Sequence, residues 1–135
     1  MADPISSYSL GVITQQWSMN IGEITMRTMR VKQRFYDLIY SGKKTLEVRV
    51  GYDTINRIQT GECIHLMSHV ESCEVKINAI RRYRTFEEML RIEPWERIAP
   101  DSKSCNEVLS LLKQIYPAHK EKLGVVVLEF AQISK

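Results

Sequence analysis

The chain has 135 residues, 44% hydrophobic and 26% charged, with a net charge of +3, the size and balance of one ordinary globular domain. No apolar run approaches the ~20 residues of a membrane helix, and the N-terminus lacks the basic-then-apolar layout of a secretory signal. Three cysteines are too few, and odd in number, for a disulfide scaffold, which points to reduced thiols and a cytoplasmic location.

Residues 1–22 mix Ser, Gly, Gln and Asn with scattered hydrophobics. They read as an N-terminal extension, either flexible or a strap pinned by Trp17, ahead of a domain over 23–135. From Ile24, "ITMRTMRV" alternates loosely like a half-buried strand. In "VKQRFYDLIYSG", Val31, Phe35, Leu38 and Ile39 fall at helical spacing and Gly42 supplies the stop. "TLEVRV" and "GECIHLM" read as strands, and "CEVKINAIRRY" as a longer one with Val75, Ile77 and Ala79 on one face.

Two helices are announced by capping boxes. Thr85 with Glu88 opens "FEEMLRI", and Ser104 with Glu107 opens "NEVLSLLKQIY", where Val108, Leu111, Leu112 and Ile115 form the expected buried stripe. Between them "PWERIAP" reads as an irregular connection. Pro117 ends the last long helix, and "GVVVLEFAQI" is a closing strand. The order predicts an α+β domain: a small, mostly antiparallel β-barrel, curved or closed, with helices against one opening.

Basic residues are unevenly placed. Seven (Arg27, Arg30, Lys32, Arg34, Lys43, Lys44, Arg49) stand against Asp37 and Glu47 in one stretch, and "RRYR" at 81–84 adds a second cluster. Such a side suits phosphate-bearing ligands, or is simply a solvated charged face.

The most unusual stretch is "SGKKTLEVRV", residues 41–50. On a strand, Thr45, Glu47 and Arg49 share one face while Leu46, Val48 and Val50 share the other. Lys44 sits at the entrance. On an open surface these charges would be worth little. Under a covering helix they would line a pocket, with Lys44 lowered in pKa and Glu47 tuned by Arg49.

That stretch resembles the G-x-K-x-x-E-x-R signature of ASCH domains, a branch of the PUA-like barrels. "EVRVGYDTINRIQTGECIHL", "YRTFEEMLRIEPWERIAPD" and "NEVLSLLKQIYPAHKEKLGVVVLEF" are similar to the charged strand and its successor, the helical excursion, and the final helix and strand of that family. The resemblance spans about Ile24 to Ile133. It implies a small barrel with a cleft beside the signature strand and a link to RNA or nucleosides. Some compact members remove the acyl group from N4-acetylcytidine, using a lysine, a threonine three positions on and an acidic residue in the excursion; others are described as ribonucleases.

Carried over, Lys44 matches the lysine, Glu47 stands where the threonine would be, and the third residue falls at Asp101, with Glu96 the alternative. The resemblance thus implies a metal-free, cofactor-free amidohydrolase acting on N4-acylcytosine nucleosides. Lys44, Glu47 and Asp101 would be catalytic. Thr45, Arg49, Glu96, Tyr52 and Tyr83 would contact substrate, the tyrosines by stacking. A non-catalytic RNA-binding module and a ribonuclease using the same cleft are the alternatives. The partner is then a modified pyrimidine nucleoside or RNA, not a membrane; no oligomeric state follows.

Other chemistry-bearing residues point less far. Cys63, His65, His69 and Cys73 are zinc-type ligands; Cys63 and His65 share a strand face and a hairpin could bring Cys73 near them, but the spacing fits no common zinc pattern. His119, among charged neighbours, reads as solvent-exposed, and Cys105, in the first turn of a helix, has no base nearby in sequence. There is no phosphate loop, no G-x-S-x-G and no H-E-x-x-H.

Overall fold

The five strands expected from alternation all form. The computed structural model describes residues 26–134; the extension over 1–22, with Trp17, lies outside the described residues. The strands are β1 (Arg27–Arg30), β2 (Leu46–Val50), β3 (Cys63–Met67), β4 (Ser72–Tyr83) and β5 (Val125–Ser134). They make one mixed sheet in the order β1-β3-β4-β5-β2. β1 lies parallel to β3, and the β3–β4, β4–β5 and β5–β2 pairs are antiparallel. β1 and β2 are the edges. The sheet curls into a half-barrel, so that Arg49 on one edge donates from Nη2 to the Arg30 carbonyl on the other at 2.8 Å.

The start of β5 and the neighbouring β2 are buried on both faces, which explains why β5 reads "VVVLEF" rather than alternating with polar residues. Val126, Leu128 and Phe130 face inward with Met29, Tyr36, Ile64 and Ile77. Val125 and Val127 face outward with Leu46, Val48 and Val50. Over that outer face lie helix α3 (Phe86–Ile92) and helix α5 (Cys105–Ile115), which contribute the buried Phe86, Met89, Val108 and Leu112. Each such side chain stabilises the fold by ~1.5–3 kcal/mol through burial. Thr85 and Ser104 accept the expected capping bonds from Glu88 N and Glu107 N. Helix α1 (Gln33–Tyr40) covers one end of the half-barrel through Tyr36 and Ile39. Among the described residues no helix is long and apolar enough to cross a membrane.

Four expectations are corrected. "PWERIAP" is not irregular throughout, since Trp95–Ile98 forms a short helix, α4. Two more single turns, α2 (Asp53–Asn56) and α6 (Ala118–Glu121), were not legible as helices. In β4 the register shifts between Ile77 and Ala79. This bulge moves the inward face from Ala79 to Ile80, which packs on the inner core. Finally, only half of the α5 stripe is buried. Val108 and Leu112 are, but Leu111 is half-buried and Ile115 is 46% exposed, and both face a cleft that the buried pair also borders.

Gly51 joins β2 to α2 at a point where backbone meets backbone. Its N–H donates to the Gly124 carbonyl at 2.9 Å, and a Cβ there would lie 2.5 Å from the Leu123 carbonyl oxygen. Backbone cannot step aside as a flexible side chain can. Gly51→Ala is expected to cost ~1–3 kcal/mol in urea unfolding; wild-type stability in that variant would contradict this packing.

Candidate active site

The end of α1 places Lys44. Gly42 takes the left-handed conformation (φ +84°), which turns the chain back so that Lys43 N and Lys44 N both donate to the Leu38 carbonyl at 3.0 Å. Thr45 then locks the start of β2. Its N–H donates to the Arg97 carbonyl and its own carbonyl accepts from Phe130 N, both at 3.1 Å. The signature strand is therefore held between β5 and α4, and the helical excursion covers its charged end.

The strand's two faces separate as its alternation predicts. Glu47 stands opposite Leu128 and Arg49 opposite Val126, so both charges point to the inner side of the half-barrel. Lys44, Glu47 and Arg49 are only 3%, 9% and 5% exposed. That excludes the surface-cluster reading. Lys44 Nζ donates to the Leu46 and Ile98 carbonyls at 2.6 Å each and lies 3.1 Å from Glu47 Oε1. The other carboxylate oxygen accepts from Arg49 Nε at 2.7 Å. One buried carboxylate thus bridges two buried cations, and an ammonium's three donors have three acceptors.

Burial sets the electrostatics. It pushes the Lys44 ammonium below the usual lysine pKa, against the opposing pull of Glu47. Burial alone would raise the Glu47 carboxyl, yet Arg49 and Lys44 together outweigh it and hold the group below the usual carboxylate range. Since a guanidinium does not release its proton in proteins, Lys44 is the member that can.

The triad forms the floor of a cleft of about 360 Å³, within the ~300–1,000 Å³ typical of small-ligand sites. Phe35, Leu111 and Ile115 contribute apolar walls. Lys44 Nζ also stands 5.5 Å from the centre of the Phe35 ring, and the Arg34 guanidinium 4.7 Å from it.

The remaining residues singled out in the sequence are dispersed. Asp101 pairs with Arg34, whose Nε donates to Oδ2 at 2.6 Å, and this partner holds its carboxyl below the ordinary value. Lys44 feels Asp101 only as a nearby charge. Glu96 is exposed on α4. Tyr52 packs between the two cores, with Lys120 over its ring at 5.2 Å. Tyr83 packs on the outer core, and its hydroxyl donates to Glu93. Neither tyrosine, nor Thr45, Glu96 or Asp101, is among the residues lining the cleft. In "RRYR", Arg81 is engaged by Glu93 and Glu129. Phe35, Leu111 and Ile115 were not expected at the site: their helical spacing is that of core residues, and nothing local marks them as walls.

The zinc-type residues do not converge. Leu66 stands opposite Cys73 in the β3–β4 register, so Cys73 points into the inner core beside Tyr36, while Cys63 and His65 occupy the alternate face. Among the described residues no group of three His, Cys, Asp or Glu is placed to hold a metal ion.

A model of the ASCH domain family matches residues 29–134. The crystal structure of hypothetical protein PH0355 is similar at 32% identity and a TM-score of 0.71, over 78% of this chain and 97% of that one. The solution structure of protein PF0455 from Pyrococcus furiosus is similar at 30% identity and a TM-score of 0.66, over 80% of this chain and 97% of its own. No curated protein matches the chain.

Proposed function

Since the chain belongs to the ASCH domain family, we propose that its cleft hydrolyses the acyl amide of N4-acylcytosine nucleosides such as N4-acetylcytidine. One observation carries this reading: a buried lysine with a lowered pKa, coupled to a carboxylate and an arginine, forms the floor of a cleft with apolar walls at Phe35, Leu111 and Ile115. Perturbed ionisable groups in a cleft of ligand size are what general acid–base chemistry requires.

In the proposed reaction Lys44, in its neutral form, takes a proton from a water molecule whose oxygen attacks the acyl carbon. The C–N4 bond then breaks, and the same proton passes from Lys44 to the departing cytosine amine. The products are the free carboxylic acid and cytidine. Glu47 orients Lys44 and the water through its Oε1 edge. Arg49 balances the carboxylate and adds positive potential where the oxyanion develops. Glu47 is not assigned the role of a nucleophile, because both its oxygens are already engaged by cations. Asp101 acts from outside the cleft, bracing Arg34 beside Phe35.

Incubation with N4-acetylcytidine should release cytidine and acetate in equal amounts, unaffected by chelator. Absence of release, together with retention of RNA that weakens steeply with salt, would replace the enzyme with a binding module.

A further inference from the structure

The cleft's charge is out of balance with its size. Four cationic side chains line it (Arg30, Lys32, Lys44, Arg49) against the single carboxylate Glu47. Two of the four, Lys44 and Arg49, share Glu47 on the floor. The other two, Arg30 and Lys32, line the cleft at the junction of β1 and α1. His69, in the turn between β3 and β4, lines the same cleft.

The topology brings these two corners together. Arg30 pairs with Met67 in the parallel β1–β3 ladder, and the next N–H, that of Val31, donates to the Met67 carbonyl at 2.9 Å. Ser68 accepts from Val70 N and Glu71 N through its hydroxyl, which shapes the turn carrying His69. Lys32 and His69 are exposed, Arg30 half-buried. Helix α1 begins here with no side-chain cap and no acidic residue in its first turn, so its partial positive end adds to the same potential.

A neutral nucleoside offers such a rim no anionic group. We propose that Arg30, Lys32 and His69 form a phosphate subsite, so that the natural ligand is a cytosine mononucleotide bearing a phosphomonoester, with its base end towards Lys44. This rests on the proposed function for the identity of the base, but the phosphate preference can be read without turnover. A charge-assisted hydrogen bond contributes enough to separate nucleotide from nucleoside by about tenfold or more.

The test is calorimetric titration of the full chain with cytidine, with cytidine 5′-monophosphate and with a cytidine trinucleotide lacking terminal phosphates, at low and high salt. The wild type should bind the monophosphate about tenfold more tightly than cytidine, with the gain shrinking as salt rises. The double variant Lys32→Ala, His69→Ala changes only exposed side chains, and should bind the two ligands alike while melting as the wild type does. Equal binding of cytidine and its monophosphate by the wild type would overturn the proposal, as would a preference that survives in the double variant. A gain seen only with the trinucleotide would overturn it in favour of RNA. If the monophosphate preference is present but no acyl group is released from N4-acetylcytidine, the subsite stands and the amidohydrolase reading falls. If nucleoside and 5′-monophosphate are hydrolysed with the same kcat/KM, the reverse holds.

Discussion

Replacing Glu47 by alanine is expected to cost ~3–5 kcal/mol of stability, the loss typical of removing one partner from a buried ion pair. The carboxylate is 9% exposed and bridges Lys44 and Arg49. Without it two cations share a buried space with no counter-charge. Lys44 can relieve this by shedding its proton; Arg49 cannot. The same group gives the wild type an acid-sensitive term. Its folded pKa lies below the ordinary value, so its contribution is fully present above about pH 4.3, and is lost as pH falls through the folded pKa. Lys44 acts in the same direction in a higher window: its folded pKa is also lowered, so stability rises with pH between that value and about 10.4. Urea unfolding of both proteins across pH 3–8 checks this. Glu47→Ala should be less stable at neutral pH, with the gap narrowing in acid. A variant that unfolds with the wild type at every pH would show that the bridge carries no net stability.

Lys44→Met is expected to lower kcat for N4-acetylcytidine by ~10²–10⁴-fold, the usual contribution of a positioned acid–base group. KM should change little, since the aliphatic stem is retained. The fold should survive. Methionine matches the stem in length and flexibility, and Glu47 keeps its pair with Arg49. Two carbonyls, Leu46 and Ile98, lose a donor, at about 1–3 kcal/mol each if they stay dry; removing a buried ammonium offsets part of that. Steady-state kinetics beside a thermal melt separates these effects. Turnover by Lys44→Met at the wild-type rate would remove Lys44 from the reaction, whatever the melt shows.

Much of this arrangement was legible in the sequence, because strand alternation is a strict rule. "TLEVRV" had to place Glu47 and Arg49 on the face opposite Leu46, Val48 and Val50, and it does. The capping boxes fixed the starts of two helices for an equally local reason. What alternation does not reveal is which face is covered. Whether the charges were solvated or enclosed depended on α4 lying against β2, a contact between residues some fifty positions apart.

The α5 stripe shows the same limit from the other side. Val108, Leu111, Leu112 and Ile115 fall on one side of a helical wheel and all border the cleft, yet only Val108 and Leu112 are buried in the core. The bulge at Ile77/Ala79 moved Ala79 out of the inner face without any glycine or proline to mark it. Short helices such as Asp53–Asn56 escape notice because one turn is too short to show a period.

The most direct measurement of the central claim is an NMR titration of the Lys44→Met variant with N4-acetylcytidine, which it should bind without consuming. The account expects backbone amide shifts concentrated at the cleft: around Phe35 on α1, along β2 from Glu47 to Arg49, and at Leu111 and Ile115 on α5. Shifts elsewhere on the barrel, or none at high nucleoside concentration in a variant shown to be folded, would contradict it. The buried triad would then be a feature of the fold, not the floor of an active site.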